Sequence, residues 1–438
     1  CRSLQKFPFS PTEVDAEVCD FERLCPICAG ACPSSRACPS SHVFCNLKVQ
    51  LAICKISIYS IPMKKLQTRT LEGTAVDLAK KYPVVTITGP RQSGKTTLCR
   101  LAFPEKSYVN LEAPDDRRFA IEDPRGFLAA YKDGAVLDEI QRAPDLVSYL
   151  QTMVDEDPTP GRFIITGSQQ FQVRESLSQS LAGRTGLLTL LPFDWREIQP
   201  YMNVSQTDSL ILHGFYPRLH HMSIPPTTAL ADYFETYVQR DVRQLTQLKH
   251  LRLFETFVRL CAGRVGQMLN LNSLGNDTGV SHTTAREWLS VLEASYVVFL
   301  LQPWHANISK RLVKTPKLYF WDVGLAAYLL GLTEENHVQR DPLKGNLFEN
   351  MVIAEMFKQH YHFGKRPRLF FLRDSTGNEV DVVMEEGQNL KLIEIKSGKT
   401  VNKSFFKGLN SMKKALGDRI SEGHVVYGGQ KRQLRTDW

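Results

Sequence analysis

The 438-residue sequence predicts an α/β chain: a parallel sheet carrying a phosphate-binding loop, then a winged helix-turn-helix, then a small α/β domain. Three observations predict it. First, Gly89-Pro90-Arg91-Gln92-Ser93-Gly94-Lys95-Thr96 matches G-x-x-x-x-G-K-[ST], between an apolar β-branched run at 84–87 and a helix start at 97–101. Second, short apolar runs at 107–111, 135–137 and 162–166 each end in polar residues, the pattern of buried parallel strands with a site at their C-terminal ends. Third, the last hundred residues place an acid on one strand and Glu394-Ile395-Lys396 on the next.

The loop predicts a nucleoside triphosphate site. Its glycines let consecutive N–H groups face phosphate oxygens at a helix N-terminus, with Thr97 continuing that helix. Lys95 would reach the β- and γ-phosphates, and the Thr96 hydroxyl would sit on Mg²⁺. Asp138-Glu139, about 40 residues on and at a strand end, reads as a Walker B pair. Asp138 would hold Mg²⁺ through water and Glu139 would polarise the attacking water; an acidic helix start is the alternative. Ser168, with Thr166, would position water or sense the γ-phosphate, or else Ser168 caps a helix. Arg184 is the candidate arginine for the transferring phosphate, in cis or on a neighbouring subunit, against a plain surface arginine. ATP and Mg²⁺ are the expected cofactors.

Residues 201–250 read as a helical connector or lid. In it 210–217 is a short connector, and 231–248 is a helix with Tyr233, Tyr237 and Leu245 inward and Arg240-Asp241 between them. Residues 251–335 carry helical stripes, a turn at Gly279-Val280-Ser281 with Ser281 as N-cap, and a second helix with Trp288, Leu289 and Leu292 at helical spacing. Strand-like runs at 296–301 and 317–321 complete a winged-helix layout. If its second helix enters a groove, His282, Thr283 and Arg286 face DNA and Lys310, Arg311 and Lys314 meet phosphates; otherwise the module is a packing lid or protein contact.

Residues 336–438 open with a helix bearing Glu349. Asp381 lies on a strand, and Glu394 and Lys396 share one face of the next because side chains alternate. Asp381 and Glu394 would hold Mg²⁺, Lys396 would orient or deprotonate water, and Glu349 would add a carboxylate. A charged sheet face is the plainer reading. From Lys391 onward 11 Lys/Arg stand against 4 Asp/Glu, a basic segment suited to a phosphate backbone or to a solvated face.

Together the loop, Leu137-Asp138-Glu139-Ile140-Gln141, Ile165-Thr166-Gly167-Ser168-Gln169 and Leu181-Ala182-Gly183-Arg184 resemble a widespread prokaryotic family of AAA-type ATPases fused to a C-terminal domain of unknown function. The similarity runs from about Met63 almost to the end. It implies ATP binding and an additional-strand P-loop fold at 63–200. The set Glu349, Asp381, Glu394 and Lys396 resembles the PD-(D/E)xK nuclease superfamily, with no substitution at any of the four. That implies a restriction-nuclease-like fold at the end of the chain. The leading expectation is an ATPase coupled to nucleic-acid binding or cleavage, DNA rather than RNA. The alternative is an ATP-driven switch whose later domains bind protein partners; a homo-oligomer suits either.

Eight of the ten cysteines lie in residues 1–54. One C-x-x-C, Cys25 to Cys28, with drifting gaps elsewhere makes a zinc module a poor fit, and a disulfide framework clashes with a nucleotide-dependent body. The reading favoured for 1–62 is non-native sequence upstream of a start at Met63. No apolar run approaches the ~20 residues of a membrane span, and the cytoplasm is the expected location.

Overall fold

A computed structural model of the protein describes residues 68–168, 180–238, 251–305, 315–374 and 376–435. The cysteine-rich segment, Arg240-Asp241 and Lys310, Arg311 and Lys314 lie outside the described residues.

Five parallel strands form the first sheet: β1 (Val84–Thr88), β2 (Ser107–Asn110), β3 (Ala135–Asp138), β4 (Phe163–Gly167) and β5 (Thr185–Thr189). Their spatial order is β2-β3-β4-β1-β5. The central strands β1, β3 and β4 are buried at every position, while β2 and β5 at the edges are partly exposed. That is the signature of a sheet covered on both faces. Val85 and Ile87 pack on Leu98 and Cys99 of the helix Lys95–Ala102, and Val84 faces Phe127, Leu150 and Ile165 on the other side. With β4 between the strand of the phosphate loop and the strand of Asp138, the additional-strand arrangement is present.

After β5 the chain turns into helices. The stretch expected as a connector instead forms the helix Thr207–His213, stopped by Gly214, and then the helix Pro217–Met222. Gly214 has φ +66°, and a Cβ there would lie 2.2 Å from Asp322 Oδ1. The close approach lets the Phe215 N–H donate to Asp322 Oδ2 at 2.7 Å. A helix Pro226–Tyr233 runs into a π-helical turn at Phe234–Val238, and the rest of the helix expected at 231–248, with Leu245, lies outside the described residues.

Three helices follow, Leu251–Ala262, Leu271–Thr278 and His282–Ala294, the last capped by the Ser281 hydroxyl on the Thr284 N–H at 3.1 Å. An antiparallel pair, β6 (Val298–Leu301) and β7 (Lys317–Phe320), comes next, with Met268 bridging to Lys317 from the other side. The helix Lys344–His362 then leads to β8 (Leu369–Arg373), β9 (Glu379–Glu386) and β10 (Asn389–Lys396). The helix Lys407–Leu416 crosses over to β11 (Ile420–Tyr427), which pairs parallel to β10; β8 and β10 each pair antiparallel with β9 between them.

The regions expected at 251–335 and 336–438 share one core. Phe254, Phe257, Trp288 and Tyr319 belong to the same buried cluster as Met351, Phe371, Val382 and Ile395. The segment after β6 also pairs with β8, through Phe371 N to Gln302 O and Trp304 N to Phe371 O.

Gly214→Ala is expected to lower unfolding free energy by about 2 kcal/mol, because the new methyl meets Asp322 in a backbone conformation that L residues avoid. Urea denaturation of the full chain measures it.

Candidate functional site

The phosphate loop leaves β1 at the C-terminal edge of the sheet. Gly89 has φ +151° and lies so close to β5 that a Cβ would be 2.0 Å from the Leu190 carbonyl oxygen. Gly94, at φ +93°, turns the chain into the helix Lys95–Ala102. The two glycines thus let bare backbone line the loop. Lys95 is buried, and its ammonium donates to the carbonyls of Gly89 (3.0 Å) and Pro90 (2.8 Å). Burial pushes its pKa down, opposed by the charges of Glu139 and Asp138.

The acids meet the loop here. The Thr96 hydroxyl donates to Asp138 Oδ2 at 2.6 Å, and the hydroxyls of Tyr108 and Thr166 also donate to that carboxylate. Tyr108 is held above its usual pKa by burial and then by Asp138. Glu139 sits one residue beyond β3 with φ +59°, a left-handed conformation uncommon for a non-glycine residue. That turn brings its carboxylate to the Ser168 hydroxyl (2.9 Å) and to the Gln141 amide. Of the expected residues, the structure therefore gathers Thr96, Asp138, Glu139 and Ser168 with Lys95 at one sheet edge. Arg91 lies 3.7 Å from Glu112, on the loop after β2.

Arg184 lies elsewhere. It precedes β5, whose first residue pairs with Val84 at the start of β1, so it occupies the opposite edge of the sheet, about 16 Å along the strand from the loop. There it pairs with Asp155 and donates to the Ala182 carbonyl. Action in cis on its own chain's phosphates is excluded by that placement.

Sequence reasoning missed Arg69. Its guanidinium donates to the Ser93 carbonyl inside the phosphate loop and to the Leu191 carbonyl beyond β5, and its Nε lies 3.0 Å from Glu197 Oε1. Glu197 and Asp194 form a capping box on the short helix Trp195–Ile198, and His362 Nδ1 lies 3.0 Å from Asp194 Oδ2. Burial opposes ionisation of Asp194, but His362 and the N–H groups of Glu197 and Arg196 hold it down at about 2. Asp194, Glu197 and His362 fall within 4.8 Å of one another, a spacing a metal would accept. Their carboxylates are already taken up by Thr70, His362 and backbone N–H groups, and Arg69 supplies the positive charge. This is a structural junction. A buried arginine before the first helix leaves no periodic or motif signal in a sequence.

A second constellation joins the end of the chain to β7. Lys396 Nζ lies 3.0 Å from Asp381 Oδ2 and 2.6 Å from Glu394 Oε2, and the Ile395 N–H donates to Asp381 at 2.7 Å. Burial, and then the charge of Asp381, pushes Glu394 up to about 8. Gly408 packs directly on Glu394, where a Cβ would be 1.9 Å from Oε1. Glu349 points to the same region but is held by two residues not expected there, Lys317 (3.1 Å) and Tyr319 (2.5 Å). Burial raises its pKa, Lys317 opposes this and Asp381 adds to it. Lys317 also pairs with Glu379. The faint signal was a lysine opening the apolar run Lys317-Leu318-Tyr319-Phe320.

A parallel sheet of this order, with a Gly-rich loop, lysine, threonine, aspartate and glutamate at one edge, defines an AAA-type P-loop ATPase. A family model described as "AAA domain" matches residues 81–199, and models described as domains of unknown function match 204–336 (DUF8612) and 344–438 (DUF4143). The chain is 33% identical over 363 residues to "Uncharacterized protein Rv2008c" of Mycobacterium tuberculosis, spanning 82% of this chain and 79% of that one, and it belongs to the same family. "Uncharacterized protein MJ1544" of Methanocaldococcus jannaschii is 20% identical over 280 residues, 59% of each chain. Among solved structures, the Walker-type ATPase PABY2304 of Pyrococcus abyssi is 14% identical, covers 59% of this chain and 94% of its own, and has a TM-score of 0.41. AMPPCP-bound DnaA from Aquifex aeolicus is 13% identical, with 51% and 86% covered and a TM-score of 0.28. Among the described residues no helix is long and apolar enough to cross a membrane.

Two variants separate binding from chemistry. Lys95→Ala is expected to abolish ATP binding by isothermal titration calorimetry. Glu139→Gln is expected to keep binding and lose about 10²- to 10⁴-fold in phosphate release, the range for removing a general base.

Proposed function

We propose that ATP hydrolysis by this chain drives its C-terminal part to bind or cleave DNA in the cytoplasm. The observation that carries this is the run from the helix Lys344–His362 through three antiparallel strands, a crossover helix and a parallel fourth strand, with Asp381, Glu394 and Lys396 converging on it. The topology and residue set support a PD-(D/E)xK nuclease-like domain. Asp381 and Glu394 are hard oxygen donors suited to Mg²⁺, which when bound would polarise a phosphoryl oxygen and acidify water. Lys396, whose side chain is one-third exposed beside both acids, would then orient the attacking water.

The middle region supports the same reading. Three helices and the β6–β7 pair follow the order of a winged helix-turn-helix, and Thr283 and Arg286 are exposed at the start of its second helix, with His282 half-buried. At the P-loop, Lys95 and backbone N–H groups would hold the phosphates, Thr96 and Asp138 would hold Mg²⁺, and Glu139 would accept a proton from water, oriented by the Ser168 hydroxyl that donates to it. Arg184 enters only in a homo-oligomer, where another copy would present it. A second reading, an ATP-driven switch that binds protein partners and cuts nothing, draws on the same internal ion pairs, which leave Glu349 and Glu379 engaged with Lys317.

Single- and double-stranded DNA incubated with the full chain, ATP and Mg²⁺ or Mn²⁺ tests it, with Lys396→Ala alongside. Cleavage is expected from the parent and not from the variant, and binding is expected to weaken steeply as salt rises. DNA neither cleaved nor bound at low salt would leave the switch.

A further inference from the structure

The carboxylates at the end of the chain are held by two lysines of different origin. Lys396 comes from β10 of the same sheet, and its side chain is 34% exposed. Lys317 comes from β7, and its side chain is 5% exposed. Each lysine spans two acids, Lys396 between Asp381 and Glu394, Lys317 between Glu349 and Glu379. Arg373, half-exposed at the rim, lies 3.5 Å from Glu379 as well.

Lys317 is built in. Its strand is flanked by β6 on one side and by Met268 on the other, with Leu318 N bonded to Gln267 O and Leu269 N to Pro316 O. Two residues on, and therefore on the same face, Tyr319 donates to the same Glu349 oxygen that Lys317 contacts. The ammonium also lies 5.5 Å from the centre of the Phe371 ring. A cation arriving from solvent meets the half-open Lys396 pair. At the Lys317 pair it would have to leave a buried ammonium without its partners, which is strongly unfavourable.

We propose that Lys317 is a protein-borne substitute for a second metal ion: it neutralises Glu349 and Glu379 from a neighbouring structural region and limits the site to one divalent cation, on Asp381 and Glu394. This rests on the metal reading above. It assigns Lys317 a positioning role, since it acts through Glu349, and makes the site dependent on the β6–β7 pair as well as on the C-terminal sheet.

The test is Mn²⁺ binding to the full chain without nucleotide, by isothermal titration calorimetry and electron paramagnetic resonance of free Mn²⁺. All proteins carry Asp138→Asn, so that the nucleotide site contributes no metal. The parent is expected to bind one Mn²⁺. Lys317→Met is expected to bind a second, or to bind the first at least tenfold more tightly, while Lys317→Arg behaves as the parent. Because Lys317→Met leaves buried acids unpaired, Lys317→Met/Glu379→Gln is measured too, with melting temperature and circular dichroism as fold checks, and a smaller gain in the same direction is expected because one of the two freed acids is lost. A parent that binds two ions, or variants that bind as the parent does, overturns the role of Lys317 while the metal reading stands. A parent that binds none, with Asp381→Asn no different, overturns both.

Discussion

The pairing of buried charge along the helix Lys344–His362 holds the two halves of this molecule together. Glu355, Lys358 and His362 recur at three- and four-residue spacing and are all buried. Each meets the segment after β5: Glu355 accepts the Trp195 N–H, Lys358 donates to the Phe193 carbonyl at 3.0 Å, and His362 meets Asp194. Lys358 also lies 3.8 Å from the centre of the Phe215 ring. A buried ion without its partner costs several kcal/mol, so these contacts specify one docking of the helix on the ATPase sheet. A purely apolar face would tolerate sliding by a turn.

That junction is continuous with the nucleotide site. Arg69 contacts Glu197 of the junction and the Ser93 carbonyl of the phosphate loop. The arrangement of the loop is self-satisfied: Lys95 bonds to the loop's own carbonyls, and Asp138 accepts from three hydroxyls. A bound nucleotide with its metal competes for those same donors and acceptors. Lys95 would exchange carbonyl oxygens for phosphate oxygens, and Thr96 would exchange Asp138 for the ion. Rearrangement at the loop is therefore felt at Ser93, where Arg69 is attached.

How much of this the sequence disclosed depends on whether a feature is local. The phosphate loop, the Asp138-Glu139 pair and the E-x-K strand are short runs whose chemistry dictates their spacing, and the structure places each at a strand end. The Ser281 cap and the β6–β7 pair were equally local. Residues that work across the chain were not legible. Arg69, Lys317 and Tyr319 act on partners 24 to 128 positions away, and nothing in their neighbours marks them. Arg184 shows the complementary limit: its type suits phosphate, but strand direction puts it at the edge of the sheet away from its own chain's loop, leaving only a role on a neighbouring copy. The helix Thr207–His213 was missed because its stop at Gly214 is set by Asp322, more than a hundred residues on.

The long helix also spans the distance between the two groups of residues. His362 and Glu349 are thirteen residues apart on it, about 20 Å along the axis. At one end it is tied by His362, Lys358 and Glu355 to the junction that Arg69 shares with the phosphate loop. At the other it carries Glu349 against Lys317, and Asn350 pairs with both backbone groups of Phe320 in β7. The helix's own backbone hydrogen bonds hold its two ends in a fixed relation, so a movement allowed at one end is carried along the axis. A displacement at the loop end would therefore arrive at the carboxylate end as a shift of Glu349 relative to Asp381 and Glu394. No separate pathway of side chains is required, only that the junction have two arrangements, with nucleotide and without.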